Sequence, residues 1–155
     1  MPFIKMINNP YSNKTALRNV LDYIIRNAAI YGGLAIDPDC AEFQMQLVKE
    51  LFYKIEGRQV RHFIVAFAEH EDVDLDNIHE LAQKIALYYA HRYQIIFGIH
   101  MNTKNTHIHF ALNTVSYIDG RMYREGFGDG FKLKAHISAL LPGMAINITE
   151  DSVDI

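Results

Sequence analysis

Apolar and polar positions change their spacing several times along this 155-residue chain, and each change marks an element. Phe3–Ile7 reads as a short strand ended by Asn8-Asn9-Pro10. Leu17, Val20, Leu21, Ile24 and Ala28 then recur at helical intervals, predicting a helix over Lys14–Ala28 behind Ser12 and Asn13 as caps. Tyr31-Gly32-Gly33 is expected to break that helix. After Pro38-Asp39-Cys40 a second helix is predicted, with Phe43, Leu47 and Leu51, joined by Val48 and Phe52, as its buried face and Gly57 as its stop. Gln59–Phe67, rich in β-branched and aromatic residues, reads as a central strand. Ile78, Leu81, Ala82, Ile85 and Tyr89 place a long helix over Asp76–Arg92. Tyr93–His100 and His107–Val115 read as strands joined by a hairpin at Met101–Thr106. Asp119-Gly120 signals a turn before Arg121–Arg124, a further helix covers Phe131–Leu141, and a last strand covers Met144–Ile148. This order predicts an α+β fold, a single largely antiparallel sheet flanked by helices, in one domain over residues 1–155.

Composition narrows the chemistry. The single cysteine, Cys40, rules out an intramolecular disulfide and a cysteine-rich zinc site. The longest apolar runs, Ile95–Phe97 and Phe63–Ala68, are too short for a membrane segment, and no secretory signal opens the chain, so a cytoplasmic protein is expected. A net charge of −3 argues against a polyanionic partner until its distribution is considered. Six acids lie between Glu69 and Glu80, and Glu150, Asp151 and Asp154 sit in the tail, with no Lys or Arg in either stretch. The rest of the chain therefore sets all 15 basic residues against nine acids, and that body of the domain can attract phosphates.

His100 and His107-Ile108-His109 are the sharpest feature. Residues i and i+2 of a strand share a face, so His107 and His109 present their imidazoles together, and His100 closes the preceding strand across the hairpin. Three imidazoles converging in this way suit a divalent transition metal with open coordination positions. Packing histidines on a strand are the alternative; His62, His70, His79, His91 and His136 lack this geometry and are read as such. Tyr23 lies off the apolar stripe of its helix, among Asn19, Arg26 and Asn27, where its hydroxyl can face a site. A phenol needs a nearby cation to act as a nucleophile, and Tyr11, Tyr31, Tyr88 and Tyr89 compete for the role. Lys5, Arg26, Arg61, Lys104 and Arg121 are candidate contacts to a phosphate backbone. Gly126–Gly130 reads as a flexible connection.

These residues carry a resemblance. Ile4-Lys5, Leu21-Asp22-Tyr23-Ile24, Gly57–Phe67, the helix with Glu80-Leu-Ala-Gln, His100…His107-Ile-His109-Phe-Ala-Leu-Asn113 and Ser116…Asp119-Gly120-Arg121 together resemble relaxase domains of conjugative and mobilizable elements. The class is the MobA-like (MOBP) one within the HUH endonucleases. The resemblance implies an HUH relaxase-like fold and a metal-dependent enzyme that nicks one DNA strand at an origin of transfer. It implies Tyr23 as the nucleophile that forms a 5′-phosphotyrosine link, and His100, His107 and His109 as ligands of a divalent metal, Mg²⁺ or Mn²⁺ foremost, with other transition metals as alternatives. Asn102 and Asn113 are read as polar supports behind those ligands. The implied partners are single-stranded DNA at an origin of transfer, accessory relaxosome proteins and a type IV coupling protein, in the bacterial cytosol. Relatives often carry Asp at the position of Asn102, His at that of Asn105 and Lys at that of Ala29. Full relaxases run longer than this chain, so an N-terminal catalytic fragment is expected. Glu69 and Glu71 are candidates for the general base. A rolling-circle replication initiator or single-tyrosine transposase of the same superfamily, and a non-catalytic single-stranded DNA-binding relative, are the alternatives.

Overall fold

The computed structural model describes residues 2–68, 74–124, 128–143 and 145–151. In chain order they form β1 (Phe3–Ile7), α1 (Ala16–Arg26), β2 (Ile30–Leu34), α2 (Ala41–Leu51), β3 (Val60–Ala66), α3 (Leu75–Ala90), β4 (Ile95–His100), β5 (His107–Asn113), α4 (Asp129–Leu140) and β6 (Asn147–Asp151). The strands make one six-stranded sheet in the order β2-β4-β5-β3-β1-β6. Every pairing is antiparallel except that of β1 with β6. The α+β expectation is therefore met.

Helices cover both faces. Ile4, Met6, Phe63, Val65, Phe97, Ile99, Ile108, Phe110 and Leu112 form the larger core with Ile78, Leu81, Ile85 and Tyr89 of α3 and Leu133 and Ile137 of α4. The other face packs Val60, Ile96 and Ala111 against Leu17, Val20, Leu21 and Ile24 of α1 and Ala41 and Met45 of α2. Strand alternation thus divides β5 cleanly: Ile108, Phe110 and Leu112 go to one core, while His107, His109, Ala111 and Asn113 share the α1 face. Among the described residues no helix is long and apolar enough to cross a membrane.

Two expectations need correction, and one stretch does more than was expected of it. Tyr31-Gly32-Gly33 lies beyond the end of α1, as expected, and also forms edge strand β2 against β4. A Cβ on Gly32 would lie 2.7 Å from Phe97 Cζ, so the glycine makes room for that ring. On α2 the stripe Phe43, Leu47, Leu51 faces outward, with 67%, 41% and 65% of each residue exposed; of the expected face Val48 is buried, together with Ala41, Met45 and Lys49. A periodic stripe says which residues share a face, not which face is covered. The last strand is Asn147–Asp151, later than Met144–Ile148, and Met144 lies outside the described residues.

Candidate active site

Register brings the histidines together. His100, the last residue of β4, pairs with His107, the first of β5, and His109 follows on the same face opposite Gly98. Ring centroids lie 5.3 Å apart for His100–His107, 5.0 Å for His107–His109 and 4.3 Å for His100–His109. One ring nitrogen from each lies within 4.8 Å of those of the other two.

Hydrogen bonds assign the remaining nitrogens. His100 Nε2 donates to the Ile24 carbonyl at 2.8 Å, which leaves Nδ1 with the lone pair. His107 Nδ1 donates to the Asn105 carbonyl at 2.8 Å, which leaves Nε2. His109 Nδ1 faces His62 Nε2 at 2.9 Å, and His109 Nε2 is buried with no hydrogen-bond partner. An orphaned buried nitrogen beside two other free lone pairs fits a bound cation. Burial lowers the pKa of His100 and His109, and their neighbouring imidazoles lower it further, so both rings are neutral donors at neutral pH. His62 is pushed down to about 3, chiefly by burial.

Gly98 sets the approach of α1. A Cβ there would stand 2.5 Å from Ile24 O, so only a glycine lets the helix backbone pass this low over β4. Tyr23, one residue earlier, is thereby held with its ring centroid 5.5 Å from that of His100 and 5.4 Å from that of His109, edge-on to both. Burial pushes the Tyr23 phenol up, so the site resists phenolate unless positive charge is present. The competing tyrosines are placed elsewhere. Tyr31 donates its hydroxyl to Asp39 at 2.6 Å, Tyr88 and Tyr89 lie on α3 across the sheet, and Tyr11 reaches His62.

The other expected residues divide. Arg26 is exposed one turn beyond Tyr23, Lys104 is exposed in the β4–β5 connection, and Lys5 is half-buried on β1 two strands from β5. Arg121 is exposed, 3.8 Å from Asp119. Arg61 is a correction: only 3% exposed, it pairs with Leu112 on the α3 face and cannot offer its guanidinium to a backbone. Asn102 is exposed. Asn113 is a second correction, since its amide is engaged by Lys49 Nζ, by Gln94 Oε1 at 2.9 Å and by the Met45 carbonyl at 3.3 Å instead of by a histidine. Glu69 and Glu71 lie outside the described residues.

Sequence reasoning missed His62 and Tyr11. His62 shares the α1 face with Val60 and Ile64, and Ile64 pairs with His109, so His62 is the diagonal neighbour of a cluster member. That contact depends on the register between β3 and β5, which no local pattern encodes.

No curated protein matches the chain. A solved chain from work on the molecular basis of vancomycin resistance transfer in Staphylococcus aureus is similar at a TM-score of 0.49 and 14% identity, over 81% of this chain and 77% of that one. A model of the relaxase family, MobA/VirD2-like, nuclease domain, matches residues 7–141. That span runs from the end of β1 through α4 and includes Tyr23 and all three clustered histidines. With most of its length accounted for in this way, the chain belongs to the MobA/VirD2-like relaxase family of nuclease domains.

Proposed function

We propose that this domain is a metal-dependent, strand-specific DNA nickase and strand transferase acting on single-stranded DNA at an origin of transfer. In this reading Tyr23 is the nucleophile and His100, His107 and His109 hold a divalent cation. The observation that carries it is the edge-on Tyr23 ring above an imidazole cluster whose buried His109 Nε2 has no other partner.

A divalent cation bound there would supply positive charge beside the scissile phosphate and lower the cost of a phenolate. Imidazole donors favour a borderline transition ion, which places Mn²⁺ ahead of Mg²⁺ for this donor set. The chain's own residues do the rest. Tyr23 Oη forms a bond to phosphorus as the bond from phosphorus to the 3′ oxygen breaks, and the proton lost by the phenol balances the one gained by the 3′-hydroxyl. One phosphodiester replaces another, so the exchange reverses and rejoins strands. Packing of α1 on Gly98 keeps the phenol in place, which converts part of the barrier into prior ordering. Arg26 and Lys104 flank the cluster and suit the flanking phosphates of a single strand. Accessory relaxosome proteins and a type IV coupling protein are the partners this role requires, in the bacterial cytosol.

Incubation with Mn²⁺ and a pool of randomised single-stranded oligonucleotides tests the reading. Wild type is expected to give a denaturant-resistant protein–DNA adduct that EDTA prevents, and Tyr23→Phe to give none. An adduct that persists in Tyr23→Phe moves the nucleophile elsewhere. Binding without any adduct in wild type favours a DNA-binding relative that has lost turnover.

A further inference from the structure

We infer that His62, backed by Tyr11, is a positioning residue that locks His109 in the one tautomer able to take a cation; this rests on the three-histidine site proposed above. The contact is unusual in being between two fully sequestered imidazoles, His62 at 0% and His109 at 1% exposure, with His62 Nε2 and His109 Nδ1 at 2.9 Å. Only one proton fits between those nitrogens. Were it on His62, the remaining proton of a neutral His109 would sit on Nε2, which is buried without an acceptor. Placing it on His109 Nδ1 instead satisfies the pair and leaves Nε2 as a bare lone pair pointing into the cluster.

The consequence runs outward. If His62 accepts at Nε2, its own proton is on Nδ1, which faces Tyr11 Oη at 3.2 Å, and the phenol oxygen accepts it. Tyr11 is itself held firmly. Its φ of 43° lies in the left-handed region that side chains rarely adopt. Its amide donates to Asn9 Oδ1 at 3.0 Å and its carbonyl accepts from Gln59 N at 3.0 Å. The loop after β1 is thereby fixed to the start of β3, and the phenol is aimed at His62 across the α1 face. The donor direction is thus set by a chain of contacts His109 to His62 to Tyr11, in the way that a carbonyl behind each of His100 and His107 sets theirs.

Titration of the chain with Co²⁺, followed by its visible absorption, tests this. His62→Leu is expected to weaken Co²⁺ binding by about 10- to 100-fold. His62→Gln, whose Oε1 can accept from His109 Nδ1, is expected to stay within about threefold of wild type. Tyr11→Phe, which keeps the ring, is expected to lose roughly three- to tenfold. Circular dichroism and urea midpoints establish that each variant is folded. A folded His62→Leu with wild-type affinity, or a His62→Gln no better than His62→Leu, overturns the inference and leaves the three-histidine site standing. Should His62→Leu not fold, unchanged affinity in Tyr11→Phe overturns it. A wild-type chain that takes up no Co²⁺ refutes the site and the inference together. Nitrogen-15 shifts of the metal-free wild type add a reading without metal: protonated Nδ1 at His109 is expected, and protonated Nε2 overturns the assignment.

Discussion

Gly98→Ala is the perturbation most directly coupled to the geometry of Tyr23. The added Cβ would lie 2.5 Å from Ile24 O, 2.8 Å from Ile24 Cγ2 and 3.3 Å from Ala28 Cβ. The first two atoms are helix backbone and a branched, buried side chain, so neither can swing away. A carbon–oxygen contact relaxes to about 3.3 Å, so α1 must rise by about 0.8 Å at this point. The bond from His100 Nε2 to Ile24 O, 2.8 Å in the native packing, then stretches to about 3.6 Å and is lost. Overpacking of this kind costs about 1–3 kcal/mol, which a domain stable by roughly 5–15 kcal/mol survives. The phenol moves with the helix, and a misplacement near 1 Å costs a reaction on the order of 100-fold. Two measurements are needed on the same variant: the urea midpoint, and the rate of covalent adduct formation at saturating oligonucleotide. The expected outcome is a folded protein with a modest loss of stability and a rate down by about 100-fold. A folded Gly98→Ala that reacts within about twofold of wild type would refute the claim that the low passage of α1 positions the proposed nucleophile.

Two further outcomes follow from the corrected residues. Lys49 is buried against Asn113, and burial pushes its ammonium down from the ordinary 10.5 to about 7. Between those values the unfolded chain binds the extra proton, so the contribution of Lys49 to stability rises with pH through that window and its full penalty stands below about pH 7. Lys49→Met is expected to gain on the order of 1–3 kcal/mol near pH 6, with the gain shrinking by about pH 9.5; urea unfolding at both values that shows a constant difference contradicts the assignment. In single-stranded DNA binding by fluorescence anisotropy, Lys104→Ala is expected to reduce the slope of log affinity against log salt by about 0.7, and Arg61→Met to leave it unchanged. A slope altered by Arg61→Met would mean that this guanidinium reaches DNA after all.

The legible and the illegible parts of this molecule follow from the range of the interactions that decide them. His107 and His109 share a face because alternation is a property of two residues of backbone, and the α1 stripe and the exposed side of Tyr23 need only one helical turn. Arg61 and His62 sit on a strand buried on both sides, where a run of apolar neighbours gives no sign of which face each residue takes. Their assignment waits on the pairing of β3 with β5, across some 47 residues in the case of His62 and His109. Gly32 reads as a breaker because propensity counts only backbone freedom, whereas Phe97 from a neighbouring strand supplies the reason for its small size. For α2 the apolar stripe is present, yet the buried face is the one carrying Ala41, Met45, Val48 and Lys49, where Ala41 and Met45 join the core under α1 and Asn113 accepts from the Lys49 ammonium.

The two faces of the sheet also explain why the cluster can be both buried and open. The α3–α4 face is closed by apolar packing along β1, β3, β5 and β4, which fixes the strands and their register. That rigidity is what the α1 face uses, because strands locked from behind can carry His62, His100, His109 and Asn113 as buried polar groups on their other side. Each of the four has its own support: a phenol, a helix carbonyl, an imidazole and an ammonium respectively. The smaller core under α1 and α2 rests on Val60, Ile96 and Ala111, toward where β3 and β4 begin, so the helices pack over that half of the face and not over its far end. His107 marks that end, half-buried where His100 and His109 are not, with exposed residues from Met101 to Asn105 beyond it. In the proposed reaction, a polyanionic strand entering along this rim would meet His107 first and Tyr23 from the side of α1. The cluster is therefore reached at its edge, where desolvation is incomplete, while the nitrogen that lacks every other partner lies one row further in.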